Sequence, residues 1–202
     1  LYAAFGDKNF YAVDADLYPK GFPWATDLGG AVYNKGDATG AKKLLDAANP
    51  KDRTIRLLTS QQYEFHYKMA LVANEYFKAA GFKVDMQVVD WATLVQRRAN
   101  PDLWDIFITH SPFLPEPALI DFPSKDSPGW WDTPRRDKAL NAFNEARTQD
   151  ERLKLWAEVQ KAVFDEVPFI KVGDFNALSA RSPKLQGLTP APWPYFWNTW
   201  KA

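Results

Sequence analysis

The alternation of strand-like and helix-like segments between residues 53 and 111 most constrains the fold of this chain. Three segments are rich in β-branched and apolar residues, and the two segments between them carry apolar residues at helical spacing. In chain order they are RTIRLLTS (53–60), YEFHYKMALVANEYFKAAGF (63–82), KVDMQVVD (83–90), WATLVQRR (91–98) and WDIFITHS (104–111). Because each helix lets the chain cross back over the sheet, successive strands can pair in parallel. The pattern predicts an α/β fold with a mostly parallel sheet flanked by helices.

The helices in the first half have predictable ends and inner faces. Asp37 is the expected N-cap of a helix that runs to residue 48, and Gly81 is the expected C-cap of the 63–82 helix. Asp90 can cap the short helix that begins at Trp91. The predicted inner faces consist of Ala41, Leu44, Leu45 and Ala48 in the first helix, and of Phe65, Met69, Val72, Tyr76 and Ala79 in the second.

The flanking regions are less regular. Residues 1–36 are loop-like and are interpreted as a connector, and a long Pro-rich loop follows residue 111. Two further helices are predicted at 135–147 and 150–167, the second capped by Asp150 and ended by Pro168. Its apolar positions are Leu153, Trp156, Val159, Val163 and Val167. Residues 168–180 predict a strand pair or a bent strand, and residues 190–202 are rich in proline and aromatic residues.

Composition excludes several classes of function. The chain has 25 basic and 25 acidic residues, so it lacks the positive charge of a nucleic-acid binder. It has no cysteine, and His66 and His110 are its only histidines, so we predict no metal site and no cofactor. No apolar run approaches the ~20 residues of a membrane-spanning helix, and no stretch has a signal-peptide pattern. Because the chain opens without Met, we expect a processed product or a piece of a longer protein.

Enzymatic chemistry has no support in the sequence. The nucleophile motif G-x-S-x-G is absent, and the neighbours His110 and Ser111 would point to opposite faces of a strand. His66 lies within a helix with Ala70 four residues later, so it is interpreted as a packed or surface residue. Asp165 and Glu166 are interpreted as part of a solvated helix face. A hydrolase is therefore disfavoured, and no catalytic residue is assigned.

The carboxyl edge of the predicted sheet carries the best candidate binding site, because open parallel sheets bind ligands there. Hydroxyl, amide, imidazole and aromatic side chains follow the three strands at this edge, a mixture typical of a small-molecule pocket. They are Thr59, Ser60, Gln61, Tyr63, Asp90, Trp91, His110, Ser111 and Phe113. Trp91 and Phe113 have a second interpretation as covers of the sheet edge.

Two more aromatic segments need an explanation. Trp130 and Trp131 are adjacent in the long loop and cannot both face the same core, so one of them is expected to be exposed or to face a ligand. For WPYFWNTW (193–200) we favour packing against a neighbouring domain. The alternative is a protein-interaction module that uses this Trp-rich tail.

The ordered series of segments resembles the C-terminal portion of the family 5 extracytoplasmic solute-binding proteins, the peptide- and nickel-type receptors of ABC importers. The resemblance covers nearly the whole chain. It is carried by YNKGDATGAKKLLDAA (33–48), LVANEYFKAAGFKVDMQVVDWATLVQRR (71–98), DLWDIFITHS (102–111), GWWDTPRRDKALNAF (129–143), DERLKLWAEVQKAVFDEVPFIKVGDFNALSA (150–180) and FWNTW (196–200). In that family the Asp-Trp pair marks a strand-to-helix corner, which favours a structural role for Trp91.

The resemblance implies a periplasmic-binding-protein-like lobe and a role in import. Residues 1–36 would connect from a first lobe, residues 37–175 would form the second lobe, and residues 176–202 would return to the first lobe, which is largely absent. The two lobes would close around a small solute, such as an oligopeptide, in the periplasm and deliver it to the membrane subunits of an ABC permease.

The expected ligand-binding residues combine rings that stack on the solute with groups that form hydrogen bonds to it. They are His110, Phe113 and Trp131, followed by Ser60, Tyr63, Ser111 and Trp130. One departure from the family bears on the solute. Peptide-binding members usually place an Asp in the loop after the third strand, whereas this chain has Phe113 and Leu114 there, with Glu116 as the nearest acid. Free peptides are therefore in doubt, and an apolar or sugar-like solute fits equally well.

Overall fold

The structure is a computed structural model that describes residues 1–189, 191 and 195–202. Its helices are α1 (Tyr2–Phe5), α2 (Ala38–Ala48), α3 (Glu64–Ala79), α4 (Trp91–Arg97), α5 (Pro134–Glu145) and α6 (Gln149–Glu166). Its strands are β1 (Tyr11–Ala12), β2 (Thr54–Ser60), β3 (Lys83–Val89), β4 (Ile106–Phe107), β5 (Asp174–Phe175), β6 (Leu185–Gln186) and β7 (Trp200–Lys201). Short 3₁₀ turns lie at Lys8–Phe10, Pro101–Leu103 and Pro117–Leu119.

A three-stranded parallel sheet in the order β3-β2-β4 organises the central part of the chain. β2 and β3 pair along seven residues, from Thr54 opposite Lys83 to Ser60 opposite Val89. β2 is the central strand, and its last four residues are buried because helices cover the sheet. The predicted α/β fold with a mostly parallel sheet is confirmed.

The third predicted strand is shorter than expected. Only Ile106 and Phe107 pair with β2 as a ladder, opposite Leu57 and Leu58. Backbone hydrogen bonds from Asp105 to Arg56 (3.0 Å) and from Ile108 to Leu58 (3.2 Å) extend the contact by one residue at each end. The segment that follows, including His110, therefore leaves the sheet at its carboxyl edge.

Side-chain caps fix the starts of α2, α4, α5 and α6, and one predicted cap is wrong. Asp37 accepts a hydrogen bond from the Gly40 amide (2.8 Å), and Asp90 accepts one from the Thr93 amide (2.9 Å), as predicted. Helix α6 is instead capped by Thr148, which forms a reciprocal capping box with Glu151. Asp150, the predicted cap, lies within the first turn of this helix.

The predicted inner faces of α2 and α3 are partly wrong. In α2, Leu45 is buried with 8% of its surface exposed, whereas its neighbour Leu44 is 74% exposed. In α3, the buried positions are His66 and Ala70, whereas Tyr76 is 71% exposed. In α6, Trp156, Val159 and Val163 are buried as expected, but Val167 is exposed.

The loop-like segment 1–36 contributes to the core and does more than connect. Tyr18 and Trp24 are buried against Phe143 of α5 and Trp156 of α6. The Trp156 indole N–H donates to the Trp24 carbonyl (3.1 Å), which joins residues 132 positions apart. β1 in this segment pairs antiparallel with β5, the one part of the predicted 168–180 strand region that forms a ladder among the described residues. Divisions of the chain at residues 36 and 175 stay a prediction.

The described part of the C-terminal tail is largely exposed. β6 and β7 form a small antiparallel pair, and Tyr195, Phe196, Trp197 and Trp200 have exposed rings. Trp193 and Pro194 of the predicted packing segment lie outside the described residues. Across the residues that are described, no helix combines the length and apolar character that crossing a bilayer would need.

Candidate functional site

The carboxyl edge of the parallel sheet is held together by the starts of two helices. β2 ends at Ser60 and β3 at Val89, and the chain enters α3 at Glu64 and α4 at Trp91. The side-chain oxygen of Gln62 accepts a hydrogen bond from the backbone N–H of Trp91 (2.7 Å). This bond ties the two strand-to-helix corners to each other, so side chains on both corners have fixed relative positions.

A cluster of rings lies at this edge, and we call it the edge cluster. Its members are half-buried apart from His66, which is fully buried, and they come from α3, α4, the segment after β4, and β5. They are Tyr63, Phe65, His66, Trp91, His110 and Phe175. The ring of Tyr63 lies 4.8 Å from Trp91 and 5.1 Å from His110, in edge-on arrangements typical of favourable aromatic pairs.

Phe5 extends the edge cluster on the side of β5. Its ring is stacked on Phe65 at 5.5 Å and on Phe175 at 5.2 Å. Helix α1 and β5 therefore hold the α3 side of the cluster in place, although they are distant from α3 in the sequence.

A hydrogen-bonded histidine pair lies inside the edge cluster. Nδ1 of His110 is 3.0 Å from Nε2 of His66, so one ring donates and the other accepts. Burial, with a smaller contribution from nearby His110, lowers the pKa of His66 from its ordinary 6.5 to about 4. Burial also lowers the pKa of His110. Both imidazoles are therefore neutral near pH 7.

Four of the predicted site residues lie at or beside the edge cluster. Tyr63 and His110 are members of it, and Ser111 is an exposed residue next to His110. Ser60 is fully buried beneath the edge, where its hydroxyl accepts a hydrogen bond from the backbone N–H of Gln62 (3.3 Å). Ser60 thus stabilises the turn that leads to Tyr63.

The structure places the other three predicted residues elsewhere. Phe113 packs between Tyr18 and Phe22 in the core formed with α5 and α6, with ring distances of 6.0 and 4.6 Å. Trp131 is only 5% exposed, packs on α6, and donates its indole N–H to Glu166 (2.6 Å). Trp130 stacks on Trp104 at 5.7 Å. The two adjacent tryptophans thus face different cores, and Trp91 packs on the same core as Trp130. The seven predicted residues are divided between the edge cluster and these neighbouring cores, and their role in binding stays a prediction.

Residues 6–130, more than half of the chain, match the family described as bacterial extracellular solute-binding proteins, family 5. The chain belongs to this family. A probable peptide ABC transporter periplasmic-binding protein of Sinorhizobium fredii is 28% identical over 214 residues, which cover all of this chain and 40% of that protein. The chain thus spans less than half the length of this relative.

Solved structures share the fold of this family 5 chain. Haemophilus influenzae OppA in complex with the peptide RPPGFSPFR superposes with a TM-score of 0.80 at 15% identity, over 98% of this chain and 41% of OppA. AgaA of A. tumefaciens R10 in complex with agropinic acid gives a TM-score of 0.71 at 20% identity, over 86% of this chain and 37% of AgaA. One of these proteins holds a peptide and the other agropinic acid, so the shared fold does not determine the class of solute.

Two acidic side chains discussed in the sequence analysis, Glu116 and Glu166, have structural partners in this family 5 chain. Glu116 is the acid nearest the loop position at which peptide-binding members place an Asp. It forms an ion pair with Arg152 and accepts a hydrogen bond from the backbone N–H of Ala118. Glu166 accepts from Trp131 and from the Thr133 hydroxyl (2.7 Å), and these bonds lower its pKa, the Thr133 bond most strongly. Asp165 and Glu166 are exposed at the end of α6, as the sequence indicated, and Glu166 in addition anchors the loop that precedes α5.

Sequence reasoning missed His66, Phe65, Phe175 and Gln62. His66 is a packed residue of a helix, one of the two alternatives left open for it, and as the third residue of α3 it lies near the edge where β2 ends. Its position three residues after Tyr63 was the available signal. Phe175 reaches the edge cluster through the pairing of β5 with β1, for which the sequence contains no local signal.

Two cavities are lined by residues outside the edge cluster. They measure about 240 Å³ beside Gly187 and Trp197 and about 220 Å³ beside Lys20 and Thr26. Within the described ranges, no group of three or more His, Asp or Glu side chains is arranged to hold a metal ion. The edge cluster carries aromatic surface, imidazole nitrogen, the hydroxyl of Tyr63 and the indole N–H of Trp91.

Proposed function

We propose that this chain is most of the second lobe of the substrate-binding component of an ABC importer. The family match supports a solute receptor, and the name of the Sinorhizobium relative supports a periplasmic location and import. In this proposal a small organic solute, peptide or otherwise, is captured between two lobes and delivered to the membrane subunits of a permease. Binding and release of the solute, without chemical change, is the activity.

The solute binds against the edge cluster in this proposal. The observation that carries this placement is the concentration of half-buried rings and a histidine pair at the carboxyl edge of the parallel sheet. Tyr63 and His110 are the residues expected to touch the solute, the first by stacking and the second by a hydrogen bond. Trp91 supports both from the corner between β3 and α4.

In this proposal the first lobe closes over the edge cluster, and the length comparison supports a further part of that size. The matched relative is about two and a half times as long as the aligned chain, since the chain covers 40% of it. We infer that the missing part covers the edge cluster and packs against the exposed rings of the tail. Hinge closure of this kind excludes water from the bound solute.

Native mass spectrometry of the full-length protein that contains this chain tests the receptor proposal. The protein is purified without denaturation, and the expected result is a retained solute that disappears after unfolding and refolding. An empty protein whose melting temperature does not respond to pools of peptides, sugars or amines would contradict the proposal. Capture of a protein through the exposed tail would then favour an interaction module, and turnover of an ester, peptide or glycoside would favour a hydrolase.

Two variants test the placement of the solute at the edge cluster. Tyr63→Ala removes a ring of the edge cluster and should weaken binding of the retained solute by about 1–2 kcal/mol. Tyr63 is a suitable choice because its side chain makes no capping hydrogen bond to α3. The comparison variant, Phe113→Ala, removes a ring that packs in a different core. A loss of affinity for Phe113→Ala but not for Tyr63→Ala would move the site away from the edge cluster.

A further inference from the structure

The histidine pair defines which chemical group the edge cluster can offer a solute. His66 is fully buried, and its Nε2 meets Nδ1 of His110 at 3.0 Å. In the described part of the chain, the other nitrogen of His66, Nδ1, is buried and has no hydrogen-bond partner. The outer nitrogen of His110, Nε2, forms no hydrogen bond to another described residue and is not buried. It is the nitrogen of the pair that a solute can reach.

Two arrangements of the protons are compatible with a neutral pair. In the first, His66 carries its proton on Nε2 and donates to His110, which then carries its own proton on the outward-facing Nε2. In the second, His110 donates through Nδ1, its Nε2 is a bare acceptor, and the proton of His66 is on the buried Nδ1. The two arrangements therefore present opposite groups to a solute.

Burial of His66 selects the first arrangement. The second would leave an N–H donor buried without an acceptor, and buried orphan N–H groups are rarer in proteins than unpaired acceptors. The first leaves only an unprotonated nitrogen in the apolar environment. The low pKa of His66, about 4, agrees with a nitrogen that resists taking a second proton.

The charged groups around the pair do not change this arrangement. Glu64, at the start of α3, forms an ion pair with Lys68 (2.9 Å), and Asp90, before α4, is bonded to the amide and hydroxyl of Thr93. From β5, Asp174 is paired with Lys171 (2.9 Å). These three carboxylates each have a partner, so none of them is left free beside the pair to receive an ammonium group.

We propose that His110, oriented by His66, presents a fixed Nε2–H donor to an oxygen acceptor of the solute, such as a carboxylate or carbonyl group, beside an apolar or aromatic part that lies on Tyr63 and Phe65. This rests on the proposed function, because it takes the edge cluster as the solute site. It adds a substrate class: solutes whose recognised group accepts a hydrogen bond, and not those recognised through an ammonium group. His66 is a positioning residue in this scheme.

Two-bond ¹H–¹⁵N spectra of the full-length protein, labelled with ¹⁵N-histidine, test the proton arrangement directly. The expected result at pH 7 is that both His66 and His110 are Nε2–H tautomers. Assignment uses the conservative variants His66→Gln and His110→Gln. Finding both residues as Nδ1–H tautomers overturns the inference, and this holds whether or not the protein retains a solute.

Three matched probes test the substrate class by calorimetry on protein stripped of retained solute. Phenylacetate and phenylacetamide carry an oxygen acceptor next to a ring, whereas phenethylamine carries an ammonium group at the corresponding position. The acceptor probes should bind about tenfold more tightly than phenethylamine, which is the effect of one net hydrogen bond, and His110→Phe should remove this preference. Equal or tighter binding of phenethylamine, or no binding of any probe, overturns the substrate class.

The histidine tautomers and the retention of a solute in native mass spectrometry together separate this inference from the proposed function. A retained solute together with Nδ1–H tautomers would leave the receptor proposal standing and remove the donor. Nε2–H tautomers in a protein that retains no solute and responds to no pool would leave the histidine geometry standing and remove the receptor.

Discussion

At the scale of single residues, two adjacent leucines of α2 show how strongly burial differs between neighbours. Leu45 is buried, whereas Leu44 points to solvent. In the full-length protein, Leu45→Ala should lower the free energy of unfolding by about 2–3 kcal/mol, because it removes buried methyl groups and leaves a cavity. Leu44→Ala is the matched control and should change stability by less than ~0.5 kcal/mol. Denaturant unfolding measures both, and a large loss for Leu44→Ala would mean that another part of the protein covers it.

The buried histidine makes a prediction about pH. Because the pKa of His66 in the fold, about 4, lies below its ordinary value of 6.5, the unfolded chain binds a proton before the folded one does. The stability contributed by neutral His66 is complete above pH 6.5 and falls as the pH is lowered from 6.5 towards 4. His66→Gln should therefore flatten the pH dependence of the unfolding free energy in this window. An unchanged slope in the variant would show that His66 titrates normally in the fold.

Residues of the site could be predicted from the sequence only where they directly follow a strand. Tyr63, Trp91 and His110 stand just beyond the ends of strand segments, and the parallel sheet brings those ends to one edge. Phe113 and Trp131 are equally aromatic, but their burial depends on the packing of α5 and α6. Residue type alone does not distinguish a ring at the sheet edge from a ring that fills a core.

At the scale of elements, the start of α6 provides a matched pair of substitutions. As the N-cap, the Thr148 hydroxyl accepts a hydrogen bond from the backbone N–H of Glu151. The Glu151 carboxylate in turn accepts one from the backbone N–H of Thr148 (3.3 Å). Thr148→Ala should cost about 1 kcal/mol of unfolding free energy, because an amide at the helix start loses its acceptor. Asp150→Ala tests the residue that the sequence favoured and should cost less, since Asp150 contributes only its charge near the helix start. Equal losses, or a larger loss for Asp150→Ala, would contradict the capping box.

The order of elements was predictable because hydrophobic periodicity and turn residues are local signals. Helix α2, strands β2 and β3, and helix α4 begin and end within one or two residues of their predicted bounds. The inner face of α3 was not predictable in this way. Its buried residues are His66 and Ala70, and the rings of Phe5 and Phe175, from distant parts of the chain, pack on Phe65 in the first turn. Which face is buried is decided by partners from distant parts of the chain.

At the scale of the whole molecule, distant segments complete structures that the local pattern only begins. Trp24 of the loop-like segment joins α5 and α6, and β1 joins β5, so the first 36 residues are part of the packed structure. The described tail is different, because its rings lie on the surface of this chain. The proposed receptor of two lobes would account for both, with one terminal segment packed within the proposed second lobe and the other providing a surface for the proposed first lobe.

The exposed tail makes a prediction for the full-length protein. Trp197 is 67% exposed in this chain, a degree of exposure comparable to that of Leu44. If the rest of the protein packs on the tail, a cysteine at Trp197→Cys should react with a thiol reagent at least about tenfold more slowly than one at Leu44→Cys, because reaction then needs a local opening. Peptide mapping identifies each product unambiguously, since these 202 residues contain no other cysteine. Equal rates in the native protein would show that the tail remains exposed, and the tail would then be available to bind a separate protein.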